Sequence, residues 1–470
     1  MFGPVSGPMS SRMSGSRPGR RTFVGGLIAS ALVAPPASAL GKLLAVERRP
    51  ADSFTLPNGL QVVVLPSQRA PIVTQMVIYK VGSADEVAGQ SGLAHFLEHM
   101  MFKGTATVAP GDFSRIISRH GGRDNAYTGF DATGYHQTIS SDRLELVMRM
   151  EADRMINLRI GERELIPEKQ VVLEERRMRV ENVPSALLDE AVREQLFGRH
   201  KPYGMPTSGY PADVKKLGVT ELTNFYRRYY APNNAVLIVA GDTTADAVRK
   251  LAEKHYGPIG RRPVEARRRP AQGGPSLPQR VIRADARVAE PRWSRDYLAP
   301  SYRLGETRHA YALTVLANLF GGGETSRLWR HLVVDRKLAL SASSGYSAAS
   351  LGLTAFDLSV HPAPQKTIAE IESAVDDQMK KLLDDGVTAE EVEHTQNQLL
   401  AAAIYSQDSL ASGPRVYGAV LGTGGSVADV EAWPKRVAAV TPADVLAAAR
   451  HVWREDGLVT SLLSPAEGAR

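Results

Sequence analysis

The stretch HFLEHMMFKGT, residues 95–105, decides how the rest of the chain is read. Ser91 or Gly92 can start a helix here, and Lys103-Gly104 can end it near Phe102. Residues four apart on a helix share a face, so His95 and His99 can offer two imidazoles to one ion. Glu98 borders that face and can hydrogen-bond a water at the ion without ligating it. The order H-x-x-E-H inverts that of the commoner zincins. With 11 histidines in 470 residues, composition alone gives this pattern in roughly 1–2% of such chains. Two ordinary histidines on a helix are the alternative, and a third ligand is needed to displace it.

A catalytic tetrahedral zinc takes three protein ligands and leaves one position open. The chain has no cysteine, so those ligands must be His, Asp or Glu. The candidate segment is ELIPEKQVVLEERRMRVEN, residues 164–182. Glu168 and Glu175 lie two turns apart and share a face, whereas Glu174 lies about 100° off it. If Glu168 faces the site, Glu175 is the better ligand and Glu174 is its solvated neighbour.

The rest of the chain reads as two similar halves, 52–257 and 281–466. Between them, 258–280 is dense in Pro, Gly and Arg and reads as a linker whose arginines are solvated. The halves end alike, with VTELTNFYRRYYAPNNAVLIVAGD (219–242) and VTPADVLAAARHVWREDGLVTSLLSP (440–465). Each reads as a threonine-capped helix, a turn and a β-rich run, with a capping box at Thr441 and Asp444. Leu60–Leu65 and Ile72–Val81 read as strands joined by a polar turn, and Ala235–Ala240 and Leu353–Val360 as further strands. Ser140–Met155 fits a helix face. The fold class expected is α+β, laid down twice by internal duplication.

Residues 1–39 read as a targeting segment. Four arginines and no acid precede the short apolar run Phe23–Ala34, and Ala37-Ser38-Ala39 offers a cleavage site near Ala39. Arg20-Arg21 has a loose twin-arginine likeness. The run is too short for a comfortable membrane span, so none is expected after removal of the signal. The expected location is periplasmic or secreted. The whole chain carries 57 basic and 50 acidic residues, +7. Loss of the four arginines leaves 53 against 50, or +3, and nucleic-acid binding is not supported.

Four stretches together resemble the pitrilysin-type peptidases, the inverted-zincin family that includes insulin-degrading enzyme and mitochondrial processing peptidase. They are HFLEHMMFKGT, GGRDNAYTGFDATGYH (121–136), EKQVVLEERRM (168–178) and FYRRYYAPNNA (225–235). The resemblance implies two tandem α/β domains like those of the mitochondrial processing peptidase, joined by the linker and enclosing a cleft. It implies zinc (Zn2+) on His95, His99 and Glu175, a catalytic pair of Glu98 with the supporting Glu168, and hydrolysis of peptides. It makes Asn125, Ala126 and Tyr127 an edge strand that pairs with an extended substrate.

One feature departs from the family. Active single-chain members carry an arginine and a tyrosine, seven apart, in the second half. Here those positions fall on Val333 and Leu340, which donate no side-chain hydrogen bond, while Arg336 and Tyr346 are ten apart. If Phe320 matches Phe102, then Leu313, Leu316 and Ala317 replace His95, Glu98 and His99, so the second half lacks metal ligands. The resemblance therefore implies an exported zinc endopeptidase whose homologous partner subunit supplies the Arg/Tyr donors. The alternative is a non-catalytic peptide-binding or assembly subunit. Gly321-Gly322-Gly323 reads as a hinge or helix end, and His120, His136 and His255 as structural or exposed.

Overall fold

A computed structural model describes residues 50–269, 273–406 and 409–466. Residues 1–39, read above as a targeting segment, lie outside the described residues. The first half forms a six-stranded sheet from β1 (Asp52–Thr55), β2 (Gln61–Pro66), β3 (Ile72–Tyr79), β4 (Arg123–Thr128), β5 (Thr133–Ser140) and β6 (Ala235–Gly241), ordered β1-β2-β6-β3-β5-β4. The second half forms a five-stranded sheet from β7 (Gln279–Asp285), β8 (Arg292–Ala299), β9 (Ala339–Tyr346), β10 (Thr354–Pro362) and β11 (Leu458–Pro465), ordered β7-β11-β8-β10-β9. Apart from β1, the two orders correspond strand for strand. Each sheet has one parallel pair, β2 with β6 and β7 with β11, and is otherwise antiparallel. The α+β class and its doubling are both present.

The longer helices of the first half are α1 (Leu93–Met100), α2 (Asp112–Arg119), α3 (Leu144–Asn157), α4 (Glu162–Arg176), α5 (Pro184–Phe197), α6 (Val219–Tyr229) and α7 (Ala245–His255). Those of the second are α8 (Ala310–Gly321), α9 (Ile368–Asp385), α10 (Ala389–Tyr405), α11 (Ser412–Gly422), α12 (Val427–Ala438) and α13 (Pro442–Val452). In the first half Phe96, Leu97, Val147, Leu222 and Val248 bury one sheet face with Val77, Tyr135 and Val239. Trp293, Leu316, Leu358, Val375 and Val445 do the same in the second.

Two helices cross between the halves. α11 lies on the other face of the first sheet, where Leu421 and Tyr417 meet Met76, Ile78, Val236 and Ile238. α5 reciprocates, placing Leu188, Val192 and Leu196 against Val459 and Leu463 of the second sheet. This double cover explains why β6, AVLIVAG, is apolar throughout. The approach of α11 is close: a Cβ on Gly422 would stand 2.9 Å from that of Ala132.

Two sequence expectations change. The strands expected at 60–65 and 72–81 are present as β2 and β3, with β6 lying between them in the sheet. The α6 helix is not capped by threonine: Gly218 is its N-cap, and Glu221 accepts the Gly218 N–H at 2.9 Å. Thr441 caps α13 as expected, with Asp444 completing the box. The connector arginines are not all solvated. Arg267 and Arg269 are buried, and Arg269 pairs with Asp85 at 2.7 Å and Asp131 at 3.0 Å. Two carboxylates supplied by the first half hold them there. Gly321 ends α8, as the triple glycine suggested.

Candidate metal centre

The α1 helix starts at a glycine for a structural reason. Gly92 has φ +88°, and a Cβ there would come 2.9 Å from Ser208 O and the Gly209 Cα. The buried Glu86 carboxylate accepts the N–H groups of Gly92 and Ala94 at 2.8 and 2.7 Å, satisfying donors of the first turn. Burial pushes the Glu86 pKa up, and those two backbone hydrogen bonds oppose the shift. Ser91 donates to Asp213 at 2.7 Å and fixes the chain just before the helix. Phe96, Leu97 and Met100 then bury one side of α1. His95, Glu98 and His99 are left on the other.

α4 packs on α1 and supplies the third group. One ligand atom each from His95, His99 and Glu175 lies within 4.8 Å of the others. Glu175 Oε2 is 3.0 Å from His99 Nε2 and 3.8 Å from His95 Nε2. Glu175 Oε1 accepts from Arg179 at 2.5 Å. Glu174 points elsewhere: it pairs with Arg177 and is 51% exposed. α4 passes directly into a π-turn at Arg177–Glu181, a distortion common at functional sites. Buried Arg176 anchors that turn through a two-pronged pair with Glu190, both contacts at 2.8 Å.

Glu168 stands behind His99, not beside the open side of the cluster. Its Oε1 is 2.9 Å from His99 Nδ1, and its Oε2 pairs with Lys103. A carboxylate on Nδ1 sets the tautomer that leaves Nε2 free for a metal. Glu98 is held by Thr128, whose hydroxyl donates to Oε2 at 2.5 Å. Burial raises the Glu98 pKa and the Thr128 hydrogen bond opposes it.

The charges indicate what belongs between these groups. Burial pulls the His99 pKa down, but its hydrogen bonds to Glu168 and Glu175 outweigh that and hold it at about 9. Burial, then the neighbouring His99, lowers His95 to about 4. The His99 hydrogen bond holds Glu175 down at about 2. Two carboxylates thus keep a proton on an imidazole against burial, so the cluster calls for a positive charge. Two imidazoles and a carboxylate, with one tautomer fixed from behind, are the donor set of a catalytic zinc site.

The cluster opens into a chamber of about 3820 Å³ between the halves. Small-molecule pockets are roughly 300–1,000 Å³, so this space suits a polymer. β4 borders it. Its one partner among the described residues is β5, which leaves the other edge open. Asn125 and Tyr127 are exposed there, and Asn125 Oδ1 accepts the Ala126 N–H at 2.8 Å. That bond covers an edge donor that an added strand would use.

Among the described residues, the two second-half positions expected to carry an arginine and a tyrosine offer no side-chain donor. Val333 packs in the core of that half, and Leu340 is an exposed apolar side chain. Arg336 turns to Asp377 at 3.7 Å, and Tyr346 donates to Pro300 O at 2.6 Å. Leu313, Leu316 and Ala317 are buried on α8. His120, His136 and His255 lie outside the cluster, with His255 at 3.1 Å from Glu145. Sequence reasoning missed Glu86, Thr128 and Lys103; only Lys103, one turn after His99, left a signal in the spacing.

Two family descriptions match this chain: "Insulinase (Peptidase family M16)" over residues 62–209 and "Peptidase M16 inactive domain" over 216–399. A Helicobacter pylori protein named zinc protease PqqE is 35% identical over 301 residues, 62% of this chain and 66% of that protein. An uncharacterized zinc protease of Mycobacterium tuberculosis is 31% identical over 405 residues, 85% of this chain and 90% of its own. The crystal structure of a Helicobacter pylori protease superposes with a TM-score of 0.81 at 28% identity, covering 88% of this chain and 100% of that one. The periplasmic protease PqqL of Escherichia coli gives 0.77 at 19%, covering 90% of this chain and 48% of that one.

Proposed function

The chain belongs to the pitrilysin-type M16 metallopeptidases, and from that premise we propose that it is a zinc endopeptidase acting on extended peptides or unfolded polypeptide. The observation that carries the reading is the convergence of His95, His99 and Glu175 within 4.8 Å, with Glu98 alongside. Zinc held there would polarise the scissile carbonyl and lower the pKa of a water.

The chain's own residues do the rest. Asn125, Ala126 and Tyr127 on β4 receive the substrate backbone as an added strand, with Asn125 releasing the Ala126 N–H. Glu98 takes a proton from the attacking water and returns it to the departing amine. Thr128 holds Glu98 at the end of the same strand that seats the substrate. Glu168 positions His99 through Nδ1.

A homologous partner subunit supplies the missing donors in this reading. It is supported by the side chains at Val333 and Leu340 and by the commitments of Arg336 and Tyr346 within the second half. Losing an oxyanion donor costs about 10²–10³ in rate, so the isolated chain is expected to be slow. Export with cleavage near Ala39, to the periplasm or beyond, rests on the basic, apolar and small-residue pattern of the first 39 residues. No helix among the described residues is long and apolar enough to cross a membrane.

The test is zinc analysis of the purified chain with a peptide-digest profile, before and after addition of the co-purifying homologue. Glu98→Gln should keep zinc and lose about 10²–10⁴ in rate. A chain that binds no zinc, or a Glu98→Gln variant of full activity, overturns the proposal. Full activity of the isolated monomer removes the partner.

A further inference from the structure

Each crossing helix carries an arginine over the sheet it covers, and the two are matched differently. Arg193, on α5, lines the chamber at the second sheet, where Asp296 and Asp357 face each other across β8 and β10. Arg193 makes no side-chain ion pair or hydrogen bond among the described residues, but it lies 4.5 Å over the Phe130 ring, and after burial its strongest electrostatic neighbour is Asp296, which favours its charge. Arg415, on α11, lies over the first sheet and has no carboxylate partner among the described residues.

The position of Arg415 follows from the helix. Gly418, one turn on, rests against Ile78 and Met76 of β3. Met76 pairs with His136 of β5, and His136 with Asn125 of β4. Arg415 therefore stands where α11 gives way to the uncovered strands. Burial lowers the His136 pKa, Arg415 lowers it further, and Asp124 opposes the shift. Burial raises the Tyr127 phenol to about 12, and Arg415 opposes the shift. Tyr127 lies flat over Gly134, where a Cβ would meet its ring at 2.6 Å.

Arg415 is exposed in the chamber, and its side chain makes no ion pair or hydrogen bond among the described residues. The side chains of β4 and β5 on its face are Arg123, Asn125, Tyr127, His136 and Thr138, with Gly134 between them, and none is a carboxylate. Asp124 faces the other way and accepts from Ser114 at 2.6 Å. The face thus carries a guanidinium with no carboxylate partner among the described residues, where Arg193 has Asp296 as its strongest electrostatic neighbour.

We propose that Arg415 is a specificity-determining residue that binds a carboxylate of the substrate, the Asp or Glu side chain of a peptide residue docked beside Tyr127. This rests on the reading that β4 receives an extended peptide. Side chains of an added strand alternate between faces, so every second one runs along Asn125 and Tyr127 toward Arg415. A guanidinium meets a carboxylate through two parallel hydrogen bonds, the arrangement most selective for that group. Thr128, the next residue along β4, donates to Glu98 from the opposite face, so the acidic residue falls close to the cleaved bond.

The experiment uses the zinc-loaded full chain carrying Glu98→Gln, which binds without cutting. One fluorescent peptide is prepared with Glu, Gln or Lys at each position in turn, and binding is read by anisotropy. At one position Glu should bind about tenfold tighter than Gln, as a charge-assisted hydrogen bond allows. Arg415→Gln should erase that preference without changing affinity for the Gln peptide, and Arg415→Glu should turn it toward Lys. Equal binding of Glu and Gln at every position overturns the proposal, as does a preference that survives Arg415→Gln or follows Arg123→Gln instead. If no peptide binds at all, the docking of substrate on β4 fails, and this proposal with it.

Discussion

The two halves share strand order, strand sense and helix placement. α8 packs on β9, α10 and α13 as α1 packs on β4, α4 and α6. On α1 the half-buried chamber side of the helix carries His95, Glu98 and His99, backed by Glu168, Lys103 and Thr128. On α8 the aligned positions hold Leu313, Leu316 and Ala317, all buried. The scaffold thus tolerates either filling. What distinguishes a metal site from a core is the polar support behind it: a carboxylate for an imidazole nitrogen, a hydroxyl for a carboxylate. Function on this fold is carried by a handful of side chains and their second partners.

The largest break in the comparison comes from making the same change at matched positions. His95→Ala should take zinc from about one per chain to none and abolish hydrolysis, with little change in melting temperature of the metal-free protein. Leu313→Ala should leave zinc content intact and destabilise the fold by about 2–5 kcal/mol, the usual cost of a buried leucine truncation. Metal analysis and thermal denaturation of both variants read the contrast directly. Zinc loss in the second variant would mean that the halves are not independent in the way the cores suggest.

The support behind the site gives the next effect. Glu168→Gln keeps the size of the side chain and removes the charge behind His99 Nδ1, so zinc affinity should fall about 10–100-fold. The same residue sets a pH dependence. In the metal-free protein His99 titrates at about 9 because Glu168 and Glu175 hold its proton. Zinc must displace that proton, so apparent affinity should rise about tenfold per pH unit up to about 9 and then level off. His95, lowered to about 4, adds nothing in that range. In Glu168→Gln the plateau should begin at lower pH. Competition with a chelator across pH 6–10 measures both changes; an unchanged plateau would remove Glu168 from the account.

The ligand helix was legible because its information is local: three residues within one turn and a half, with a helix stop behind them. Glu168 and Glu175 were legible as a pair because two turns bring them to one face. Glu86 and Thr128 were not, since each reaches α1 from a separate element and nothing in its own spacing points there. The crossing of α5 and α11 was hidden for a related reason. An amphipathic pattern says that a helix buries a face but not which sheet receives it. The insertion of β6 between β2 and β3 was hidden likewise, because its parallel pairing with β2 is rewarded only by tertiary packing. Buried Arg267 and Arg269 show the limit of composition: a Pro-, Gly- and Arg-rich connector reads as solvated until two aspartates are placed beside it.

The smallest expected effect tests the second half's own charge arrangement. Burial, then the neighbouring Asp357 and Asp189, pushes the Asp296 carboxyl up to about 7, while Arg193 and Arg292 oppose the shift. An unfolded aspartate titrates near 3.9. Between those values the folded state holds a proton that the unfolded state has released. The contribution of Asp296 to stability is therefore fully present below about 3.9 and is lost as pH rises through about 7. Asp296→Asn removes the titration while keeping the size of the group. The variant should match the parent's melting temperature near pH 4 and exceed it by a few degrees at pH 8, the gap opening between those values. A gap equally wide at both pH values would mean that the asparagine acts through packing or hydrogen bonding. The like-charged pair on β8 and β10 would then be neutralised in some other way, and the contrast between Arg193, with Asp296 as its strongest electrostatic neighbour, and Arg415 would narrow.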